Sequence, residues 1–333
     1  MEFARVARTN YNNIDCIKVC MAIFVVATHT SLFSFIKSQE IYDAVFTALS
    51  VKVPFFFTTS GFLIWNKLWN SSREDQLQRV YKWMKKSFRL YLVWTLIYLP
   101  FTIYGFYSEG TNLKDALAIF IRNVVFVGEN YYSWQLWYLL GMLVASVLLF
   151  AMLKSKLKMK TMIWVAVALA ICGATLNYFM ENNLCVDVCN LYSKIFKSTR
   201  NGIFQGFPYI MIGVSVAQYG VFNSRKTLWL ILVISFVAHM YGHEIFTFLM
   251  TYALFSLVVQ FDLPHRDDDL YKSFRLTSTT VYLIHMLWVG FFTFIIPIVN
   301  TLNLFILVVL ASFSTSYLVV KNKESEIVKL LFR

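Results

Sequence analysis

The sequence alternates between long apolar stretches and short polar segments. Ten apolar stretches are long enough, or nearly so, to cross the roughly 30 Å hydrocarbon core of a membrane. They lie at residues 14–36, 41–65, 88–107, 134–153, 161–180, 201–220, 227–241, 244–261, 276–298 and 301–320. The pattern predicts an all-α protein, a polytopic integral membrane helical bundle with about ten transmembrane helices.

The composition excludes a soluble protein. Of the 333 residues, 58% are hydrophobic and 14% are charged, whereas soluble domains carry about 25% charged residues. A soluble fold cannot cover this much apolar surface, because exposed area shrinks too slowly as a domain grows. The segments between the stretches are too short for a separate catalytic domain. We therefore expect a single transmembrane domain over residues 1–333, with no appended soluble domain.

The basic residues predict the orientation. The chain has 30 Lys and Arg against 18 Asp and Glu, a formal charge of +12. Every second polar segment, counting from the N-terminus, is basic, and together these segments hold 22 of the 30. The positive-inside rule therefore predicts both termini in the cytoplasm and a multi-pass protein of the cytoplasmic (inner) membrane. Because most of the charge sets topology, nucleic acid is not an expected partner.

The first stretch carries ionisable residues on one helical face. Lys18 and His29 are only about 20° apart around a helix, with Asp15 within about 60° of both. Ala22 and Val25 lie between them, so the face leaves room for a partner helix or a ligand arm. One interpretation is an interior histidine with an ion pair at the rim. The other is a histidine base at the end of a channel from the cytoplasm.

Two other stretches carry polar residues that are costly in lipid. In the second stretch Lys52 precedes Pro54, and Thr59 shares its face, which is typical either of a broken helix at an internal site or of a packed kink. In the ninth stretch Ser278, Tyr282 and His285 share a face. That face is suited either to interhelical hydrogen bonding or to catalysis.

A basic face precedes the third stretch. It consists of Arg79, Lys82, Lys85, Lys86 and Arg89, whose spacing places them on one side of a helix. The face suits an interfacial helix that holds the anionic headgroups of membrane lipids. It suits equally a clamp for a polyphosphate ligand arriving from the cytoplasm.

No spacing typical of a zinc site, a phosphate-binding loop or a serine-hydrolase elbow occurs in the sequence, so no metal is expected. Cys185 and Cys189 share a predicted outer segment, and whether they form a disulfide is left open.

Taken together and in order, these segments resemble the membrane acyltransferase family 3, the bacterial transmembrane O-acyltransferases. The motifs that carry the resemblance are Asp15, Lys18 and His29; Lys52 with Val53-Pro54-Phe55-Phe56 and Ser60-Gly61-Phe62-Leu63; Lys86-Ser87-Phe88-Arg89; Leu136-Trp137-Tyr138-Leu139-Leu140; and Tyr282-Leu283-Ile284-His285. At Lys18 and Lys86 the family more often has Arg. Lysine keeps the charge but loses the bidentate geometry.

The resemblance implies transfer of an acyl group, usually acetyl, from cytoplasmic acyl-CoA to a hydroxyl of an extracytoplasmic acceptor. Acetyl-CoA would be the co-substrate, with its phosphates on Lys18, Lys82, Lys85, Lys86 and Arg89. His29, aided by Asp15, would be the base. Lys52, Tyr138 or His285 would stabilise the oxyanion.

The expected acceptor is a surface polysaccharide, a glycolipid or another sugar, and the sequence does not choose among them. Tyr131, Tyr132 and Trp134 either stack on sugar rings or belong to the ordinary interfacial belt. A homodimer and a monomer both stay open. The alternative function is a transporter or flippase for a small polar solute or a lipid-linked sugar, with Lys52 and His29 as substrate or proton sites.

Overall fold

The computed structural model describes residues 11–242, 244–261, 268–295 and 300–333. Those ranges contain no strand, which confirms the all-α prediction. His243 and the last residues of the predicted ninth stretch lie outside them. The helices are α1 Asn12–His29, α2 Gln39–Leu49, α3 Lys52–Trp65, α4 Arg73–Ser108, α5 Leu113–Arg122, α6 Trp137–Lys154, α7 Met159–Glu181, α8 Val186–Phe196, α9 Phe207–Tyr219, α10 Arg225–Met240, α11 Phe246–Gln260, α12 Asp268–Ile295, α13 Thr301–Lys321 and α14 Glu326–Phe332.

The helices form two compact groups. The first group contains the chain up to Asn70, Ile212–Val328 and Phe332, and therefore holds α1–α3, most of α9, and α10–α13. The second group contains Ser71–Met211, Lys329–Leu331 and Arg333, and therefore holds α4–α8. Each group has its own buried core.

Six helical stretches in the described part of the chain are long and apolar enough to cross a membrane. They are Gln39–Trp65, Arg73–Ser108, Trp134–Lys154, Met159–Glu181, Asp269–Phe294 and Thr301–Lys321. Shorter helices, α1, α9, α10 and α11, cover the other four predicted stretches. Together with the family assigned below, these six support a multi-pass membrane protein. The total of about ten spans and the cytoplasmic termini stay predictions.

The basic segment before the third stretch is part of a longer helix than the sequence suggested. Ser72 caps the start of α4 by accepting a hydrogen bond from the backbone N–H of Asp75 at 3.2 Å. The helix then continues for 36 residues, about 54 Å at 1.5 Å per residue. The basic residues therefore belong to the first part of the apolar helix itself, and whether they hold lipid headgroups or a polyphosphate ligand stays open.

The second stretch is interrupted, as its sequence indicated, but at Ser50 and Val51, before Pro54 is reached. The chain leaves α2 at Leu49 and enters α3 at Lys52, whose Nζ donates to the Leu49 carbonyl at 3.1 Å. Pro54 lies in the first turn of α3, where a backbone N–H has no partner within the helix. The proline therefore fits the start of a helix and creates no kink.

A glycine sets the closest approach inside the first group of helices. A Cβ atom at Gly213 on α9 would overlap the backbone carbonyl of Thr58 and lie 2.6 Å from the backbone nitrogen of Phe62, both on α3. Only hydrogen fits there, so the two backbones pack directly against each other.

We expect Gly213→Ala to lower the thermal unfolding midpoint of the purified protein by several degrees. Alanine favours an exposed helix over glycine by about 1 kcal/mol, so propensity alone would raise the midpoint. A fall therefore reports overlap with the α3 backbone, which costs about 1–3 kcal/mol when a packed core is overfilled. An unchanged or higher midpoint would contradict the close packing of α3 and α9.

Candidate functional site

A buried carboxylate joins the beginnings of two helices in the first group. Asp15 on α1 accepts hydrogen bonds from Arg275 on α12, with Nη2 at 2.8 Å from Oδ2 and Nε at 3.2 Å from Oδ1. The Asp15 side chain is 2% exposed, whereas that of Arg275 is 47% exposed. The fork of the guanidinium matches the two carboxylate oxygens, which makes this a specific pairing.

Two histidines meet further along the same two helices. The rings of His29 and His285 have centroids 5.2 Å apart and planes tilted by 37°. His29 is the last residue of α1 and is half-buried, whereas His285 lies mid-way along α12 and is fully buried. The structure therefore brings together two residues that the sequence separated by more than 250 positions.

The two contacts fix the relative direction of α1 and α12. Asp15 precedes His29 on α1, and Arg275 precedes His285 on α12, so the helices run parallel. The paired residues are about 21 Å apart along α1 and about 15 Å along α12.

The hydrogen bonds of His285 determine its tautomer. Nδ1 lies 2.8 Å from the carbonyl oxygen of Tyr282 and 3.2 Å from that of Val281. Carbonyl oxygens only accept, so Nδ1 carries the proton in the neutral ring. Nε2 then presents a lone pair, and among the described residues it has no hydrogen-bond partner.

The face of α1 between Asp15 and His29 is covered by protein. Ala22 and Val25 are 0% and 1% exposed, and α12 packs along this helix. Of the two occupants that the sequence allowed, the structure shows the partner helix. Lys18, between Asp15 and Ala22 on the same face, is half-buried.

Several other polar residues of the first group lie on α3 and α12. Thr58 and Thr59 are buried, and their hydroxyls have no hydrogen-bond partner among the described residues. Lys52, at the beginning of α3, donates to the Leu49 carbonyl. On α12, Ser278 donates to the Arg275 carbonyl at 3.1 Å, and the Tyr282 ring lies 5.3 Å from that of Phe56.

The basic face of α4 belongs to the second group and is exposed at Lys82, Lys85, Lys86 and Arg89. Arg89 donates to the carbonyl of Lys329 at 3.3 Å, and Lys85 lies over the Tyr81 ring at 4.7 Å. Arg333, at the end of the chain, acts electrostatically on Lys86. The last residues therefore add positive charge to this face.

Tyr138 also lies in the second group, half-buried in the first turn of α6. Nearby in sequence, the rings of Tyr132 and Trp134 are 5.9 Å apart, and Tyr131 donates to the Glu109 carboxylate. Burial and that hydrogen bond raise the pKa of Tyr131 to about 12, so its phenol stays protonated at neutral pH. These aromatics form a cluster, consistent with either a sugar-stacking surface or an interfacial belt.

No group of three metal-ligating side chains occurs in the part of the chain that the structure describes. All five cysteines are free, including Cys185 and Cys189. The disulfide that the sequence left open is therefore not formed here.

The family comparison decides the assignment. A family model described as "Acyltransferase domain", that of acyltransferase family 3, matches residues 11–321. The chain belongs to acyltransferase family 3. That match covers nearly the whole chain and confirms the resemblance that the ordered motifs indicated.

Curated relatives of this family 3 chain are longer proteins. The chain is 26% identical to a "Serine/alanine racemase" of Enterococcus gallinarum over 82% of its own length and 40% of the relative's. It is 29% identical to two proteins of Enterococcus faecalis named "Amino-acid racemase", over 61% of its length and 28% of theirs. The chain thus spans less than half of each relative. No solved structure matches it.

Sequence reasoning missed Arg275 as a site residue of this family 3 protein. Arg275 immediately precedes the ninth apolar stretch, so it was counted among the residues that set orientation. A signal was nevertheless available. A charged residue lies near the start of each of the two stretches that hold the paired histidines: Asp15 in the first stretch and Arg275 beside the ninth. The two charges are of opposite sign.

We expect Arg275→Met to lower the thermal unfolding midpoint by several degrees, because it leaves the Asp15 carboxylate buried without its ion pair. Loss of one partner costs about 3–5 kcal/mol in a fully buried pair, and about 2 kcal/mol is expected here since Arg275 is half-exposed. The double variant Asp15→Asn/Arg275→Met should recover part of the loss.

Lys272→Met is the matched control on the same helix. Its ion pair with Asp269, at 3.1 Å, is exposed on both sides, so its removal should leave the midpoint unchanged. Equal effects of Arg275→Met and Lys272→Met would contradict a structural role of the Asp15–Arg275 pair.

Proposed function

We propose that the protein is a transmembrane O-acyltransferase that moves an acyl group, in the simplest case acetyl, from cytoplasmic acyl-CoA to a hydroxyl of an extracytoplasmic glycan or glycolipid. The observation that carries the proposal is the His29–His285 pair, held between two parallel helices of an acyltransferase family 3 chain. A pair of imidazoles in an apolar bundle suits proton transfer at neutral pH.

In this proposal His29 is the general base. It takes the proton of the acceptor hydroxyl as the oxygen attacks the thioester carbonyl. The tetrahedral intermediate then expels the CoA thiolate, and the proton on the imidazolium returns to the sulfur. His29 ends α1, and the carbonyls at a helix C-terminus favour the positive charge that a base gains. This position supports the assignment.

His285 acts beside His29 in this scheme. Its Nδ1 proton is engaged by backbone carbonyls, so neutral His285 offers a lone pair at Nε2 and no proton to an oxyanion. That geometry favours a role in accepting or relaying a proton. Lys52 and Tyr138 stay as the predicted oxyanion donors, since an ammonium group and a phenol both donate.

The acyl-CoA donor would bind through its phosphates to the basic face of α4. Lys82, Lys85, Lys86 and Arg89 are exposed on consecutive turns, and Arg333 adds charge beside Lys86. Several cations within one Debye length act together on a polyanion. The same face would also attract anionic lipid headgroups, so the test must separate the two ligands.

The second candidate function is transport of a small polar solute. The observation in its favour is that the curated relatives carry amino-acid racemase names and that this chain matches only 28–40% of their length. A membrane domain in such a protein could pass an amino acid across the bilayer. A transporter would carry the solute into vesicles without acyl-CoA and would show no stabilisation by acetyl-CoA.

We expect His29→Ala to reduce acetyl transfer to surface glycan by at least about a hundredfold, the usual contribution of a general base. His285→Ala should reduce transfer as well. If the two histidines act as a unit, the double variant loses no more than the more severe single one. Mass spectrometry of surface glycans from cells producing each variant provides the measurement.

The matched control is His239→Ala. It removes a half-buried histidine that is not part of the His29–His285 pair and whose Nδ1 lies 3.0 Å from Oγ1 of Thr247. It should transfer acetyl groups normally. Membrane insertion of each variant is checked in parallel. Near-normal acetyl transfer by His29→Ala would contradict the role of His29 as the general base.

We expect Lys86→Ala/Arg89→Ala to weaken acetyl-CoA binding by about tenfold or more, because charge-assisted contacts to phosphate are lost. Acetyl-CoA-dependent stabilisation of the purified protein in detergent provides the measurement. Lys158→Ala/Lys160→Ala, which removes the same charge from exposed positions at the start of α7, should bind normally. Equal weakening by both double variants would mean that only net charge matters.

A further inference from the structure

A cavity of about 290 Å³ lies within the second group of helices. Its wall includes the apolar residues Val125, Phe126, Leu140, Val144, Phe196 and Ile203. Trp137 and Asn201 also line the cavity. The volume lies near the lower end of the roughly 300–1,000 Å³ typical of ligand sites. A space of this size and polarity fits one hydrocarbon chain.

Irregular backbone shapes this cavity. Asn123–Val127 and Gly202–Gly206 are π-helical, and both contribute to the wall. Short π-helical segments inside helical proteins are frequent at functional sites. The Asn201 side chain fixes the second segment by accepting hydrogen bonds from the backbone N–H groups of Ile203 and Phe204, at 2.9 and 3.1 Å.

The second segment packs closely against α6. A Cβ atom at Gly202 would lie 2.5 Å from Cβ of Val144 and 2.8 Å from the carbonyl oxygen of Gly141. Only hydrogen fits at this position, so the segment after Asn201 and α6 form a close-packed part of the cavity wall.

Positive charge adjoins the cavity on the side of Trp137. The Arg200 guanidinium lies over the Trp137 ring at 5.2 Å. Arg200 also donates to the Glu129 carboxylate, and Lys197 Nζ lies 3.8 Å from the same carboxylate. Glu129 is 8% exposed, whereas Arg200 and Lys197 are about half-exposed. Two cations thus share one buried anion and keep a net positive charge toward the outside.

A third cation belongs to a neighbouring segment. Arg122 donates to the Asn123 side chain at 2.8 Å and to the carbonyl of Lys194 at 3.5 Å. The segments predicted to lie outside the cytoplasm hold six basic residues in all. Four of them, Arg122, Lys194, Lys197 and Arg200, lie within three positions along the chain of a residue of the cavity wall. Orientation does not require basic residues on that side of the membrane, so their placement supports an anionic ligand.

We infer that this cavity binds a single-chain lipid phosphate, with its hydrocarbon chain against the apolar wall and its phosphate on Arg200 and Lys197. The volume favours one chain over the two of a diacyl phospholipid. Arginine and lysine supply the charged donors that phosphate oxygens accept. The role of such a ligand as the anchor of a lipid-linked sugar acceptor rests on the proposed function. Binding of the ligand to the cavity is independent of that function.

The test uses the full-length protein in detergent with farnesyl phosphate as the probe, and binding is measured by native mass spectrometry and by thermal stabilisation. Farnesol, which lacks the phosphate, and dioleoyl phosphatidylglycerol, which has two chains, are the comparison ligands. Farnesyl phosphate should bind at least about tenfold more tightly than farnesol, because one charge-assisted phosphate contact accounts for that factor. It should also bind more tightly than phosphatidylglycerol, because the cavity of about 290 Å³ favours one chain over two.

Two variants address the two halves of the site. Val144→Phe should fill the cavity and abolish binding. Lys197→Gln leaves the cavity wall intact and should weaken binding about tenfold. It provides a test of the site even if the Val144→Phe variant fails to fold. Lys114→Gln, an exposed residue of the same predicted side, is the matched control and should bind normally.

Equal binding of farnesol and farnesyl phosphate, or equal effects of Lys197→Gln and Lys114→Gln, would overturn the inference. Tighter binding of phosphatidylglycerol would overturn it in favour of a bilayer lipid. His29→Ala should bind farnesyl phosphate normally. If the unmodified protein binds farnesyl phosphate but transfers no acetyl group, the proposed function is refuted and the binding site still stands.

Discussion

The structure of the first group of helices depends on how an apolar bundle accommodates a carboxylate. Asp15 is buried, and an ionised carboxylate in such surroundings is tolerated only when it is paired and hydrogen-bonded. Arg275 provides both through its planar fork. Because that pairing has one good geometry, it fixes the register and the parallel direction of α1 and α12. The position of everything further along these helices follows from this contact.

The most important consequence is the histidine pair. Once the beginnings of α1 and α12 are tied, the end of α1 reaches the middle of α12, and His29 meets His285. The polar residues of both helices therefore form one connected feature, with an ion pair at one end and two imidazoles at the other. Asp15 and His285 are buried along this interface, and His29 and Arg275 are partly buried. Ionisable groups inside a membrane-spanning bundle are costly, which makes this interface a candidate for proton chemistry.

The second group of helices uses its charges differently. There the cations are exposed, at the start of α4 and around the cavity next to Trp137, where each accompanies a surface that suits an amphiphilic or polyanionic ligand. The carboxylate of Glu129, beside that cavity, is buried and is paired with Arg200 and Lys197. The exposed cations of this group are the ones that the proposed ligands would contact.

The sequence by itself determined the all-α class, the family, and which residues are chemically conspicuous, because apolar periodicity and rare intramembrane charges are local properties. It also indicated the interruption before α3, although the break falls at Ser50 and Val51 rather than at Pro54. Only the tertiary structure decided which of those residues meet. Arg275 precedes an apolar stretch and resembles a topogenic residue in the sequence, whereas in the structure it pairs with Asp15 on α1. Likewise, only the structure brings Arg122 to the carbonyl of Lys194, and Lys197 and Arg200 to the same carboxylate, that of Glu129. Contacts between distant segments depend on packing and register, which no local pattern encodes.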